Sequence, residues 1–430
     1  MMFGLLAFAS AGQPKVGGEN LPYVRYQLDN GLDVVLHEVR RVPVVAVRVV
    51  YHVGTIHDPV GKRGLAHLTE HAMFSGSQHI SSSTMRLELS RAGAVRVNAT
   101  TRDRDTAYLE TIPASQLAIA LWIESDRMGY FPWMLSESVL EQDRRIVRNE
   151  TIEKRRASPY QPAFQTAWNG LFGPRHPYHR ASEAELDAIS VADVEAFSHA
   201  HIGPGNATLV IAGAYNDDTK RLIQRYFGGL TGGTRAPEPS VRITLAREVV
   251  RRLALPLLDG PLLVVAWPSP ELFGPGDADA DVAAILIERA IRARPELIAL
   301  VDAQQFSQRG QSAFVIVAHG RPGADTDEIL AQLDSTIEAC SNGLAPEAVR
   351  RASKKRVLRM VAGLQSVEAR AQRMATYVLA GKDPDWVAAD IDRFAAVSVD
   401  SVQAFLREHL RTTRRSVVHA MPREKRSAAQ

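Results

Sequence analysis

Cysteine is almost missing from this chain: its 430 residues include one, Cys340. A lone thiol excludes an internal disulfide framework and any cysteine-rich zinc or iron–sulfur site. A metal in this protein therefore has to be held by histidine and carboxylate. Long apolar runs are missing too, since no stretch reaches the roughly 18–20 apolar residues of a membrane-spanning helix. Nor is there an excess of one charge. Lys plus Arg number 51 against 48 Asp plus Glu, a formal charge of +3 that gives no reason to expect a nucleic-acid partner. What is present is ordinary globular composition, 45% hydrophobic and 23% charged, in a chain too long for one compact core and long enough for two domains.

The N-terminus, residues 1–20, reads as a signal-like or flexible segment. A short apolar run, Phe3 to Ala9, leads into Ala9-Ser10-Ala11, a small-residue pattern of the cleavage-site type, although a basic flank is lacking. This points to a periplasmic or secreted protein, with a cytoplasmic one as the alternative. Beyond it, Tyr23–Leu28 and Leu32–His37 read as strands joined by the turn Asp29-Asn30-Gly31. Val44–Val53 reads as a further strand, a helix begins near Gly64, and Val95–Tyr108 alternates. Helical stretches follow at Ser115–Gly129 and Ser136–Arg156, then a buried strand at Ala207–Gly213.

An internal repeat organises the chain. Ser190–Phe197 (SVADVEAF) matches Ser398–Phe405 (SVDSVQAF) at an offset of 208, and the same offset relates His201 to His409, Thr208 to Ser416 and Ala212 to Ala420. A helix followed by a strand thus recurs at half the chain length, which implies two copies of one domain. The Gly/Pro-rich stretch Gly232–Pro239 is the natural linker, giving domains at 21–232 and 240–430.

The sharpest chemical feature is His67-Leu68-Thr69-Glu70-His71. On a helix, positions i and i+4 share a face, so His67 and His71 can grip one ion while Glu70 stands beside them as a base. The flanks Leu65, Ala66, Leu68 and Ala72 to Phe74 are mostly apolar, and a buried His pair beside a Glu needs a partner to justify its burial. A catalytic zinc takes three protein ligands and keeps one position open. The helical stretch Glu141–Glu153 offers four acids for the third, and spacing alone does not choose among them. Glu150 and Asp143, seven apart, share a face.

These residues resemble the inverzincin peptidases of the pitrilysin, insulinase and mitochondrial processing peptidase type. The resemblance rests on Gly64–Gly76 (GLAHLTEHAMFSG), on Asn98–Thr101 followed by Asp105–Tyr108, and on Leu121–Met128 (LWIESDRM). It continues through Val147–Glu150, His176–Tyr178 and Asn206–Gly213. It implies an α+β fold of two similar domains, each a mainly antiparallel sheet covered by helices. It also implies one zinc per chain on His67, His71 and Glu150, with Glu70 as general base. Asp143 stands where relatives carry a supporting Glu. In the family the peptide docks as an added strand, a role that falls here on Asn98, Ala99 and Thr100. Glu124 and Asp126, which flank Arg127, read as local ion pairs.

The second half carries no HxxEH; its histidines are His319, His409 and His419. It also has no tyrosine between Tyr226 and Tyr377, with Phe314 roughly where the resemblance leads one to expect a substrate-clamping Tyr. The expectation is a zinc-dependent endopeptidase subunit acting on peptides or precursor segments, completed by a related, motif-free subunit in a heterodimer, with a homodimer as the alternative. The rival is a non-catalytic scaffold subunit of a peptidase complex.

Overall fold

The computed structural model describes residues 20–243 and 245–423; the signal-like reading of the N-terminus lies outside the described residues. The fold is α+β, with two mixed sheets. The first contains β1 (Val24–Gln27), β2 (Asp33–Glu38), β3 (Val44–Tyr51), β4 (Val95–Thr101), β5 (Thr106–Pro113) and β6 (Ala207–Gly213), in the order β1-β2-β6-β3-β5-β4. The second contains β7 (Val249–Leu255), β8 (Leu262–Ser269), β9 (Ile298–Phe306), β10 (Ser312–Gly320) and β11 (Ser416–Pro422), in the order β7-β11-β8-β10-β9. The second order copies β2-β6-β3-β5-β4. Each sheet has one parallel pair, β2 with β6 and β7 with β11, and is otherwise antiparallel.

The repeat in the sequence is a repeat in space. Ser190 and Ser398 each cap a helix, Val191–His201 and Val399–His409, by accepting the amide three residues on. Each helix then delivers an inner strand, β6 or β11. The alternating segment 95–108 is not one strand. It breaks at a turn closed by the Arg102 amide, which donates to the Asp105 carbonyl at 2.8 Å, and becomes the hairpin β4–β5.

Strand alternation sets the first core. Val45, Val47, Val49 and Tyr51 of β3 point to one face, where they meet Leu65, Leu68 and Ala72 of the Leu65–Ala72 helix and Leu117 and Leu121 of the Leu117–Tyr130 helix. The opposite face of β3 and β6 is covered by the Val367–Leu379 helix. There Glu368 accepts from Thr111 at 2.8 Å and Arg370 reaches His37 at 3.2 Å. In the second sheet, β7, β8 and β11 are covered by the Gln161–Leu171 helix.

Compactness therefore divides the chain otherwise than the linker does. Among the described residues, one unit gathers those within 1–148, 181–239 and 361–388; the other gathers those within 149–180, 240–360 and 389–430. A sheet has two apolar faces to cover, and in each unit one covering helix comes from the other half of the sequence. The division at 21–232 and 240–430 describes the repeat; the compact units describe the packing.

Candidate metal centre

The motif helix Leu65–Ala72 has eight residues, too few to be stable alone in water, so its surroundings must fix it. Its start is held from outside. Gly64 stands at the N-cap with φ 97°, a left-handed conformation that suits glycine. The Asp58 carboxylate accepts the amides of Gly64 at 2.7 Å and Ala66 at 2.9 Å, satisfying two of the donors that a helix leaves open at its start. Burial pushes the Asp58 carboxyl up to about 7, against the pull of those two amides and of Arg63.

Leu65, Ala66, Leu68 and Ala72 face the core, so His67 and His71 fall together on the half-buried side. Their Nε2 atoms are 3.3 Å apart and their ring centroids 4.9 Å. Two imidazoles on one tetrahedral zinc, at about 2.0–2.1 Å each, place their nitrogens about 3.3–3.4 Å apart. The pair thus has the spacing of a shared ion. Glu70 is 6% exposed, and one of its carboxylate oxygens lies with the two histidine nitrogens inside a 4.8 Å group. The donor set fits zinc: two nitrogens and a nearby carboxylate.

Past the helix, Phe74 donates to the His71 carbonyl and Ser75 to that of Ala72, both three residues back. The Ser75 hydroxyl contacts both carboxylate oxygens of Asp143, at 3.2 and 3.1 Å. Burial raises the Asp143 carboxyl to about 6 in spite of that bond. Asp143 thus lies against the segment that leaves the motif helix. Glu150 sits two turns further along the Glu137–Ala157 helix, half-buried, and accepts from Lys154 Nζ at 3.2 Å.

β4 is an edge strand, paired among the described residues to β5 alone. Asn98 and Thr100 are exposed and Ala99 is half-buried. The pairing register shifts between Val95 and Asn98, where Arg96 takes φ 55°. From Asn98 on the ladder is regular, with Ala99 opposite Tyr108. The motif helix packs on both strands of this hairpin.

Two family models match the chain. Residues 33–164 match the model described as Insulinase (Peptidase family M16), and residues 188–356 match that of the Peptidase M16 inactive domain. The chain belongs to peptidase family M16. The M16 chain is 23% identical over 337 residues to the "Zinc protease PqqE" of Helicobacter pylori, covering 75% of each. It covers 22% to 53% of the length of the other curated relatives it matches. Its fold resembles that of a Helicobacter pylori protease at a TM-score of 0.84, with 18% identity over 93% of this chain and 99% of that one. It also resembles the first half of the periplasmic protease PqqL from Escherichia coli at a TM-score of 0.75, with 15% identity over 95% and 93% of the two chains.

Other expectations for the M16 chain resolve into packing. Phe314 is fully buried, between Trp267 and Phe405, so its position belongs to the second core and says nothing about a substrate clamp. Trp168 donates to the Tyr178 carbonyl at 2.7 Å within an aromatic group that includes Phe172 and His176. Glu124 pairs with Arg127 at 2.5 Å as a local ion pair, but at 0% exposure for both partners it is an interior one. Asp126 bonds to Ser77 and His79 of the loop after the motif helix. Three residues that shape the centre have no short-range signal: Asp58 reaches its amides from a loop, Ser75 meets Asp143 across 68 positions, and Tyr108 meets Glu70 across 38.

Proposed function

We propose that the chain is the metal-bearing subunit of a zinc-dependent endopeptidase that hydrolyses peptides or precursor segments bound as an added strand. The observation that supports this reading is the His67–His71 nitrogen pair at 3.3 Å with Glu70 beside it. His67, His71 and, by resemblance, Glu150 would hold one zinc, with Asp143 supporting the centre through Ser75. Zinc bound there supplies Lewis acidity toward a peptide carbonyl and acidifies water toward neutrality. Glu70 takes the proton from the attacking water and passes it to the leaving amine. Asn98, Ala99 and Thr100 offer main-chain groups on the open edge of β4, so a substrate strand laid there would be aligned before reaction.

A related chain lacking HxxEH is the proposed partner, because the second half of this chain has no such motif and residues 188–356 match a domain described as inactive. A periplasmic or secreted location is proposed from the N-terminal sequence and from the periplasmic fold relative. The test is to purify the chain alone and with a candidate partner, and to measure zinc content and hydrolysis of an unstructured peptide. About one zinc per chain, with weak hydrolysis that rises on adding the partner, is expected. A chain that binds no zinc and hydrolyses nothing by itself is the non-catalytic scaffold subunit.

A further inference from the structure

The signature segments Asp105–Tyr108 and Leu121–Met128 lie outside the proposed zinc ligands, yet they converge beneath the motif helix. Tyr108 is fully buried, and its hydroxyl donates to the main-chain carbonyl of Glu70 at 3.1 Å. That carbonyl lies in the last turn, where the Phe74 amide bonds to His71, three residues back. The tyrosine hydroxyl thus caps the helix at the residue proposed as base.

The ring that carries this hydroxyl is fixed on several sides. The Arg127 guanidinium lies over it at 4.4 Å and over Phe74 at 4.8 Å. Tyr51 meets it edge-on at 6.1 Å. Arg127 is itself fully buried and held by Glu124 at 2.5 Å, with Glu110 at 3.8 Å. On its strand, Tyr108 stands opposite Ala99 of the edge proposed for substrate.

We infer that Tyr108 is a positioning residue for Glu70, with the buried Arg127–Glu124–Glu110 group holding its ring in place. It fixes the turn from which the Glu70 carboxylate projects, and ties that turn to the strand that would carry the substrate. This rests on the endopeptidase reading for its catalytic consequence, while the structural part stands without it.

The test is Tyr108→Phe in the full chain with its partner, since phenylalanine keeps the ring and removes only the hydroxyl. With zinc content unchanged, kcat should fall about tenfold while KM stays within about twofold. Amide hydrogen exchange at residues 70–74 should quicken about tenfold, with and without zinc, while exchange in β3 is unchanged. Unchanged exchange at 70–74, or a rise spread evenly over the sheet, would overturn the positioning role. So would an unchanged kcat in a variant of a wild type that hydrolyses peptide. A wild type that binds zinc but hydrolyses nothing overturns the endopeptidase reading instead, and the exchange result alone then decides the role of Tyr108.

Discussion

The Asp58 carboxylate accepts the Gly64 amide at 2.7 Å, so a residue six positions before the N-cap of the motif helix holds its start. The burial of this carboxyl has a pH consequence. Burial raises Asp58 to about 7, well above its ordinary 3.8, so the folded chain holds a proton there that the unfolded chain releases near pH 4. Its stabilising contribution is complete below pH 4 and is lost as pH rises through 7, with a slope of up to about 1.4 kcal/mol per unit. Urea unfolding of wild type and Asp58→Asn at pH 4.5 to 7.5 — values chosen to span roughly that window — should show a shallower slope in the variant. Identical slopes would mean that Asp58 does not titrate there.

Glu70→Gln should abolish hydrolysis while leaving about one zinc per chain. Glutamine keeps the shape and removes the base, a loss of at least about 10²–10⁴ in rate. Metal analysis of the purified variant is the check, because loss of zinc along with activity would make Glu70 a ligand.

Glu150→Gln should lose zinc on dialysis against a weak chelator, whereas Asp143→Asn should keep most of it and lose less activity. Asp143 has Ser75 as its hydroxyl partner, and an asparagine can still accept that bond. The reverse order of zinc retention would show that the family register was placed one acid too late along the helix.

Within the buried group, burial and the neighbouring Glu124 push the Glu110 carboxyl well above its ordinary range, the direction that favours its protonated form. Glu110→Gln keeps the side chain's shape and hydrogen-bonding capacity and removes the charge that would oppose Glu124, so it should change stability by less than about 1 kcal/mol. Arg127→Met removes the only cation in contact with Glu124 among the described residues and should cost about 3–5 kcal/mol. Chemical denaturation of the two variants separates these outcomes.

Some of this was readable directly from the residues. His67 and His71 share a face because four residues make about one helical turn, and that holds whatever packs nearby. The same local rules give the Asp29–Gly31 turn, with Gly31 at φ 93°, and the paired caps Ser190 and Ser398. Repetition at an offset of 208 gave the second sheet without any contact being known.

Tertiary structure decided what lies between distant positions. The sequence does not say that Tyr108, rather than Tyr51, would meet Glu70, since both alternate inward on neighbouring strands. Strand register and the lie of the helix across the sheet settle that. It likewise does not say that Val367–Leu379 would cover β3 and β6. An apolar helix face fits either sheet, and only the packing of the folded chain selects which one it covers. Periodicity is a property of the backbone and is written locally, whereas partners across the core are chosen by shape and burial among groups far apart in the chain.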